Sequence, residues 1–293
     1  MFAWNEFLAA RQRGENPARI GVVGLAFDAN SSFLTGAAAA PALIRQAFYS
    51  DAANLWSERG YDLGAADVFT DLGDHTFMPD AMPDSVTHLA ADVLEQGLHL
   101  LSLGGDHSLT FPLVQAASRQ YPNLTLVHLD AHSDLYDDFG GNSYSHASPF
   151  ARIMEAELVE RLIQVGIRTL NGEQRQQVTR FGVEVFDMAG YDHQGVLEHL
   201  RNLTGPVYLS LDIDALDPAF APGVSHREAG GLTTRQVINL IHAIGAPIVA
   251  ADLVEFNPIA DMPAKDPNGI TAMTAAKLFK EISAQMLACG LPT

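Results

Sequence analysis

Between His128 and His146 the chain reads HLDAHSDLYDDFGGNSYSH. Asp130, His132 and Asp134 alternate there with the small residues Ala131 and Ser133. On extended backbone, residues two apart point to the same side, so two carboxylates and one imidazole converge on a single point. Unpaired, that cluster repels itself; a bound cation resolves it. Polar clusters also follow three other apolar runs: Gly104-Gly105-Asp106-His107-Ser108, Asp212-Ile213-Asp214 and Glu255-Phe256-Asn257-Pro258. His107, Asp130, His132, Asp134, Asp212 and Asp214 together supply four carboxylates and two imidazoles. Such a set exceeds the needs of one tetrahedral zinc and suits two metals with shared carboxylates, roughly 3.5–4 Å apart. Oxygen-rich ligation with some imidazole favours Mn²⁺ over zinc. The carboxylates bring −4 against a dimetal charge of +4, close to neutrality.

Each cluster has an ordinary structural reading as well. A lone Asp-x-Asp is commonly a turn or a solvated strand end, and Gly-Gly-Asp-His-Ser a tight turn with a capped helix. Their conjunction, in order and each after an apolar run, favours the metal reading. His128 and His226 stay outside the set. His128 alternates onto the face of Asp130 but one step inside its strand, as a buried histidine behind the site.

The elements that must hold these residues are short and regularly spaced. Residues 19–27, 98–105, 124–130, 162–168, 206–212 and 248–255 are near-continuous in Val, Ile and Leu, as expected of strands covered on both faces. Helical segments are expected at 84–96, 109–120, 148–160, 234–244 and 271–288, with Thr233 or Thr234 capping the fourth. Strand, helix, strand, repeated, means a parallel sheet with helices on both faces. In such α/β folds ligands bind outside the carboxyl ends of the strands, which is where all four polar clusters fall.

The chain has 293 residues, 47% of them hydrophobic and 18% charged, a globular composition with room for a large core. Without a repeat, low-complexity tract or linker, one domain over 1–293 is expected. A net charge of −18 argues against nucleic acid and anionic membranes as partners. The single cysteine, Cys289, excludes an internal disulfide framework. The first 21 residues lack a basic start followed by an apolar core, and no apolar run approaches the ~20 residues of a membrane span. A reducing, cytoplasmic location is the expectation.

The motifs GGDHS, DAHSD, SHASPF, SLDIDALDPAFAPG and VEFNP resemble those of the ureohydrolases, the arginase and agmatinase family, in order and over essentially the whole length. Residues 26–48, the stretch YSHASPFARIME and the stretch APGVSHREAGGL resemble in particular the plant-type arginase branch, which sits closer to agmatinases than to animal arginases. The resemblance implies a three-layer α/β/α domain on a mainly parallel eight-stranded sheet, assembled into trimers or hexamers. It implies two Mn²⁺ per chain, one on His107 and Asp134, the other on His132 and Asp214, bridged by Asp130 and Asp212. It further implies water attack on a guanidinium carbon with release of urea. Asp134 would orient that water, His146 would carry a proton to the leaving amine, and Glu255 would pair with the guanidinium.

Substrate choice is the finer expectation. Asn171 stands where animal arginases hold an α-ammonium with an acid, and Tyr136 and Asp137 replace groups that bind an α-carboxylate. No Lys or Arg occurs between His128 and Ala151, and Asp137 and Asp138 would repel a carboxylate. Agmatine therefore leads over L-arginine narrowly, with Arg227 the residue most able to reverse this. Asn142, Asn171 and Arg227 are the expected further substrate contacts. A catalytically silent metal-binding homologue is the alternative of another class, and amidine hydrolysis as in formimidoylglutamase is weakened by the lack of a basic pocket.

Overall fold

The computed structural model describes residues 19–291. Residues 1–18, most of the stretch read above as lacking a secretory signal, and residues 292–293 lie outside it. Eight strands form one sheet: β1 Ile20–Leu25, β2 Phe69–His75, β3 His99–Leu103, β4 Thr125–Leu129, β5 Arg161–Ile167, β6 Glu184–Asp187, β7 Val207–Asp212 and β8 Ile248–Val254. Their order across the sheet is β2-β1-β3-β8-β7-β4-β5-β6, and every pairing is parallel. The described helices are α1 Ala40–Phe48, α2 Met82–Glu95, α3 Thr110–Gln120, α4 Pro149–Glu155, α5 Gly172–Phe181, α6 His193–Arg201, α7 Thr234–Ala243 and α8 Ile270–Cys289.

The apolar runs form strands because both faces are buried, and their alternate residues go to different cores. Leu101, Val127, Ile163 and Leu209 join α1, α6, α7 and α8 on one face. Leu100, Leu126, Leu162 and Tyr208 join α2, α3 and α4 on the other. The result is the three-layer α/β/α arrangement expected from the sequence. No described helix is long and apolar enough to cross a membrane.

Some boundaries differ from expectation. The helix expected over 148–160 stops at Glu155, because β5 begins at Arg161 and Glu157 takes a left-handed φ of 51°. Thr233, not Thr234, caps α7: its side chain accepts from the Gln236 N–H, and Gln236 reaches back to Thr233. The central strands β3, β8, β7 and β4 lie side by side, and each ends in one of the polar clusters. The sheet itself thus gathers four distant stretches of sequence at one edge.

Candidate metal and active site

At the end of β3, Gly104 and Gly105 are forced by space. A Cβ on Gly105 would lie 1.7 Å from the carbonyl oxygen of Phe27, in the loop after β1. That approach lets the Asp106 N–H donate to Phe27 O at 2.9 Å, while the Asp106 carboxylate accepts from the N–H groups of Asn30 and Ser108. Burial, with the Glu255 charge adding to it, pushes the Asp106 carboxyl up to about 7. The turn that follows aims His107 inward, fully buried.

The protonation of His107 follows from its partners. Asp252 accepts from Tyr208 Oη at 2.6 Å, Ser210 Oγ at 2.7 Å and Thr110 Oγ1 at 2.9 Å. A carboxylate only accepts, so the Ser210 proton points at Asp252, and Ser210 in turn accepts from His107 Nε2 at 3.0 Å. His107 Nδ1 is left facing Asp130 Oδ2 at 3.2 Å, Asp134 Oδ2 at 3.1 Å and Asp212 Oδ2 at 3.3 Å. None of the three is in hydrogen-bonding geometry, so Nδ1 is buried without a partner. A bare imidazole lone pair among three carboxylate oxygens is repulsive unless a cation sits between them, and an N/O donor set of this kind fits Mn²⁺.

A second group adjoins the first. His132 Nδ1 lies 3.0 Å from Asp214 Oδ2 and 3.4 Å from Asp130 Oδ1. Asp130 thus offers one oxygen to each histidine, as expected of a bridging carboxylate. Asp212 offers Oδ2 to the His107 side, while its Oδ1 accepts from the Asp214 N–H at 2.7 Å. The electrostatics call for positive charge. Burial and the neighbouring charges of Asp214 and Asp130 push Asp212 well up, and burial, partly offset by His132, pushes Asp214 up to about 6. Against the effect of burial, the facing carboxylates raise both His107 and His132.

Glu255 Oε1 accepts from the His107 N–H at 2.9 Å and from His146 Nδ1 at 3.1 Å. Burial would lower His146, yet the hydrogen bond and charge of Glu255 outweigh it and hold the imidazole at about 9. His146 Nε2 meets Ser32 Oγ at 2.8 Å, and the ring stacks on His226 with centroids 5.1 Å apart. Asp134 and Glu255 both hold left-handed backbone, φ 48° and 62°. For a glutamate in particular that conformation is strained, and strain of this kind collects at functional sites. His132, Asp134, His146, Asp212, Asp214 and Glu255 open onto a cavity of ≈ 300 Å³ whose wall also includes Ser32, Tyr136, Thr169, Gln174, His226 and Glu228, while His107 and Asp130 lie buried behind it.

The further substrate contacts expected from sequence are not on that wall. Arg227 Nε donates to Pro222 O at 2.8 Å and Nη2 to Ala260 O at 2.8 Å, which ties its guanidinium outside the cavity. Asn142 donates to Asn30 Oδ1. Asn171 caps α5 and donates to Tyr136 Oη at 2.8 Å, so it positions a wall residue rather than forming the wall. Asp137 binds Arg152 Nη2 at 3.0 Å, and Asp138 accepts from the Gly141 N–H. The cation beside Asp137, Arg152, lies one residue beyond the stretch that holds no Lys or Arg, and it also pairs with Glu155 at 2.6 Å. Ser32, Thr169, Gln174, His226 and Glu228 were not singled out as substrate contacts, because nothing in their local sequence marks them. Arg168 ties the turn after β7 to the loop of Glu228: its guanidinium donates to the carbonyls of Gly166, Asp214, Ala215, Leu216 and Glu228 at 2.7–3.3 Å.

A family model described as the arginase family matches residues 18–284. The chain is 44% identical over 289 residues to "Arginase 1, mitochondrial" of Arabidopsis thaliana, covering 94% of this chain and 83% of that protein. It is 36% identical over 273 residues to an N(1)-aminopropylagmatine ureohydrolase of Thermus thermophilus, covering 89% and 88%. Among solved structures, the arginase from Medicago truncatula superposes with a TM-score of 0.87 at 39% identity, over 95% of this chain and 91% of that one.

Proposed function

Because the chain belongs to the arginase family, and is therefore a hydrolase of linear amidines, we propose that it cleaves L-arginine to ornithine and urea with two Mn²⁺ ions. The observation that carries the choice of substrate is the 44% identity to a plant arginase, against 36% to an agmatine-type ureohydrolase. The agmatine preference expected from sequence rested in part on the acidic pair Asp137 and Asp138. The ion pair of Asp137 with Arg152, which Arg152 shares with Glu155, weakens that objection to a carboxylate. Arg227 is equally removed from the argument by its bonds to Pro222 and Ala260. The cavity wall carries no Lys or Arg among the described residues and does carry Glu228, so a substrate carboxylate would have to stay at the solvated mouth on neutral donors, away from that acid. Tyr136 Oη accepts from Asn171, which leaves its own proton free to donate there. Gln174 supplies an amide on the same wall.

His107, Asp130, Asp134, Asp212, His132 and Asp214 would hold the ions, which supply an acidified water beside the guanidinium carbon. Glu255 has Oε1 engaged by His107 and His146 and keeps Oε2 for the guanidinium N–H groups, a charge-assisted contact. Asp134, held by its left-handed backbone, orients the attacking water and takes its proton. A carbon–oxygen bond forms, the bond from carbon to the alkyl nitrogen breaks, and the departing amine takes a proton from His146. Urea and ornithine are left. Steady-state urea formation on L-arginine and agmatine by Mn²⁺-loaded protein tests the reading. The expected kcat/KM is at least about tenfold higher for arginine, the worth of one good hydrogen-bonded contact. A higher value for agmatine would overturn it.

A further inference from the structure

His128 is fully buried and, with His107 and Asp130, completes a trio whose donor atoms lie within 4.8 Å of one another. Taken alone, that trio makes His128 a seventh ligand. Its neighbour across the sheet decides otherwise. Gln164 pairs with His128 in the register of β4 and β5, and it is a fully buried amide in a strand whose other buried residues are apolar. Its Nε2 lies 2.7 Å from the carbonyl oxygen of Ser133. A carbonyl only accepts, so the NH₂ end of the amide must be the end that faces it. The same NH₂ lies 3.1 Å from His128 Nδ1, which must therefore accept. The imidazole proton is then on Nε2, 2.8 Å from Asp130 Oδ2. That nitrogen has no lone pair left for a metal.

Asp130 is thus held symmetrically. Oδ1 accepts the His132 N–H at 2.6 Å and Oδ2 accepts His128 Nε2–H at 2.8 Å. Each carboxylate oxygen has about two acceptor positions, so each keeps one. Oδ1 lies toward His132 and Oδ2 toward His107. We propose that the Gln164–His128 pair is a positioning device for the bridging carboxylate. Gln164 fixes the tautomer of His128, and His128 fixes Asp130 so that one free position faces each metal. This rests on the two-ion reading above, but it differs from it in assigning His128 to orientation rather than to ligation. The Gln164 amide oxygen is left buried without a partner, so the side chain is not placed here for its own satisfaction.

The test uses Gln164→Leu and His128→Phe, the second keeping an aromatic ring against Phe150, on which His128 stacks at 3.8 Å between centroids. Mn²⁺ stoichiometry and dissociation constants are measured by equilibrium dialysis, and the histidine tautomer by ¹⁵N NMR on metal-free wild type. Both variants are expected to bind two ions per chain with the weaker site loosened 10–100-fold, as for other residues that orient metal ligands. Wild-type His128 is expected as the Nε2–H form. Loosening of less than tenfold, or an Nδ1–H tautomer, overturns the assignment. So does a His128→Phe protein that holds one ion at saturating metal, which would make His128 a ligand. One ion per chain in wild type would instead remove the two-ion reading, and the proposal with it. If His128→Phe does not fold, Gln164→Leu and the tautomer measurement still decide.

Discussion

At His107 and His128 the partners of one nitrogen decide what the other can do. Ser210, oriented by Asp252, fixes a proton of His107 on Nε2, so that only Nδ1 can offer a lone pair to a cation. Gln164 instead engages Nδ1 of His128 and leaves its proton on Nε2, towards Asp130. His146 has a different place, its ring nitrogens bonded to Glu255 and Ser32 rather than to any of the expected metal ligands. His146→Ala should therefore keep its metal content, measured by elemental analysis, while turnover falls by roughly 10²–10⁴-fold, the range of general acid–base catalysis. Loss of an ion in that variant would make His146 a ligand. The grouping of the six expected ligands was legible because each cluster follows a strand end, not because of alternation on extended backbone: β4 stops at Leu129, and Asp130, His132 and Asp134 lie in the bend beyond it. The left-handed backbone of Asp134 and Glu255 was not, since neither residue type announces it. Arg227 was misplaced for a related reason: proximity to Asp214 in sequence says nothing about the carbonyls of Pro222 and Ala260 that capture its side chain.

Among the elements, the strands read from sequence are those buried on both faces. The edge strands β2 and β6 were missed because they are half polar, FTDLGDH and EVFD, and only partly buried. Helix α5, GEQRQQVTRF, is polar over most of its surface and shows little apolar periodicity, although its capping box Asn171–Gln174 was available in the sequence. Helix α8 is held at its buried Glu281, which accepts from Lys277 and the Glu58 N–H and pairs with His242 at 2.9 Å. Burial would raise this carboxyl, but the hydrogen bonds from His242 and Lys277 outweigh it and hold it at about 2. Glu281→Gln should lose about 1–3 kcal/mol at neutral pH, because buried donors are left facing an amide. A folded-state pKa below the ordinary value of 4.5 stabilises above that value, and the contribution fades as pH falls towards 2. Urea midpoints of the wild type and variant should therefore differ at pH 7 and draw together between pH 5 and 3. A gap that stays constant with pH would remove Glu281 from this role.

For the whole molecule, the alternation of strand and helix was enough to place four polar clusters on one edge, and the sheet order β3-β8-β7-β4 brings them together. The sequence could not give that order, since it arises from the crossing of β7 and β8 into the gap between β3 and β4. Nor could it give the shape of the cavity, whose wall draws on residues from Ser32 to Glu255. On the proposed function, this assembled edge delivers water to the guanidinium carbon of L-arginine and expels the amine. Turnover of L-arginine in H₂¹⁸O, followed by mass spectrometry of the products, tests it most directly. One ¹⁸O is predicted in urea, with unlabelled ornithine as the partner product. Labelled citrulline with ammonia would mean that the other carbon–nitrogen bond breaks, and the absence of any product at saturating Mn²⁺ would mean that arginine is not the substrate.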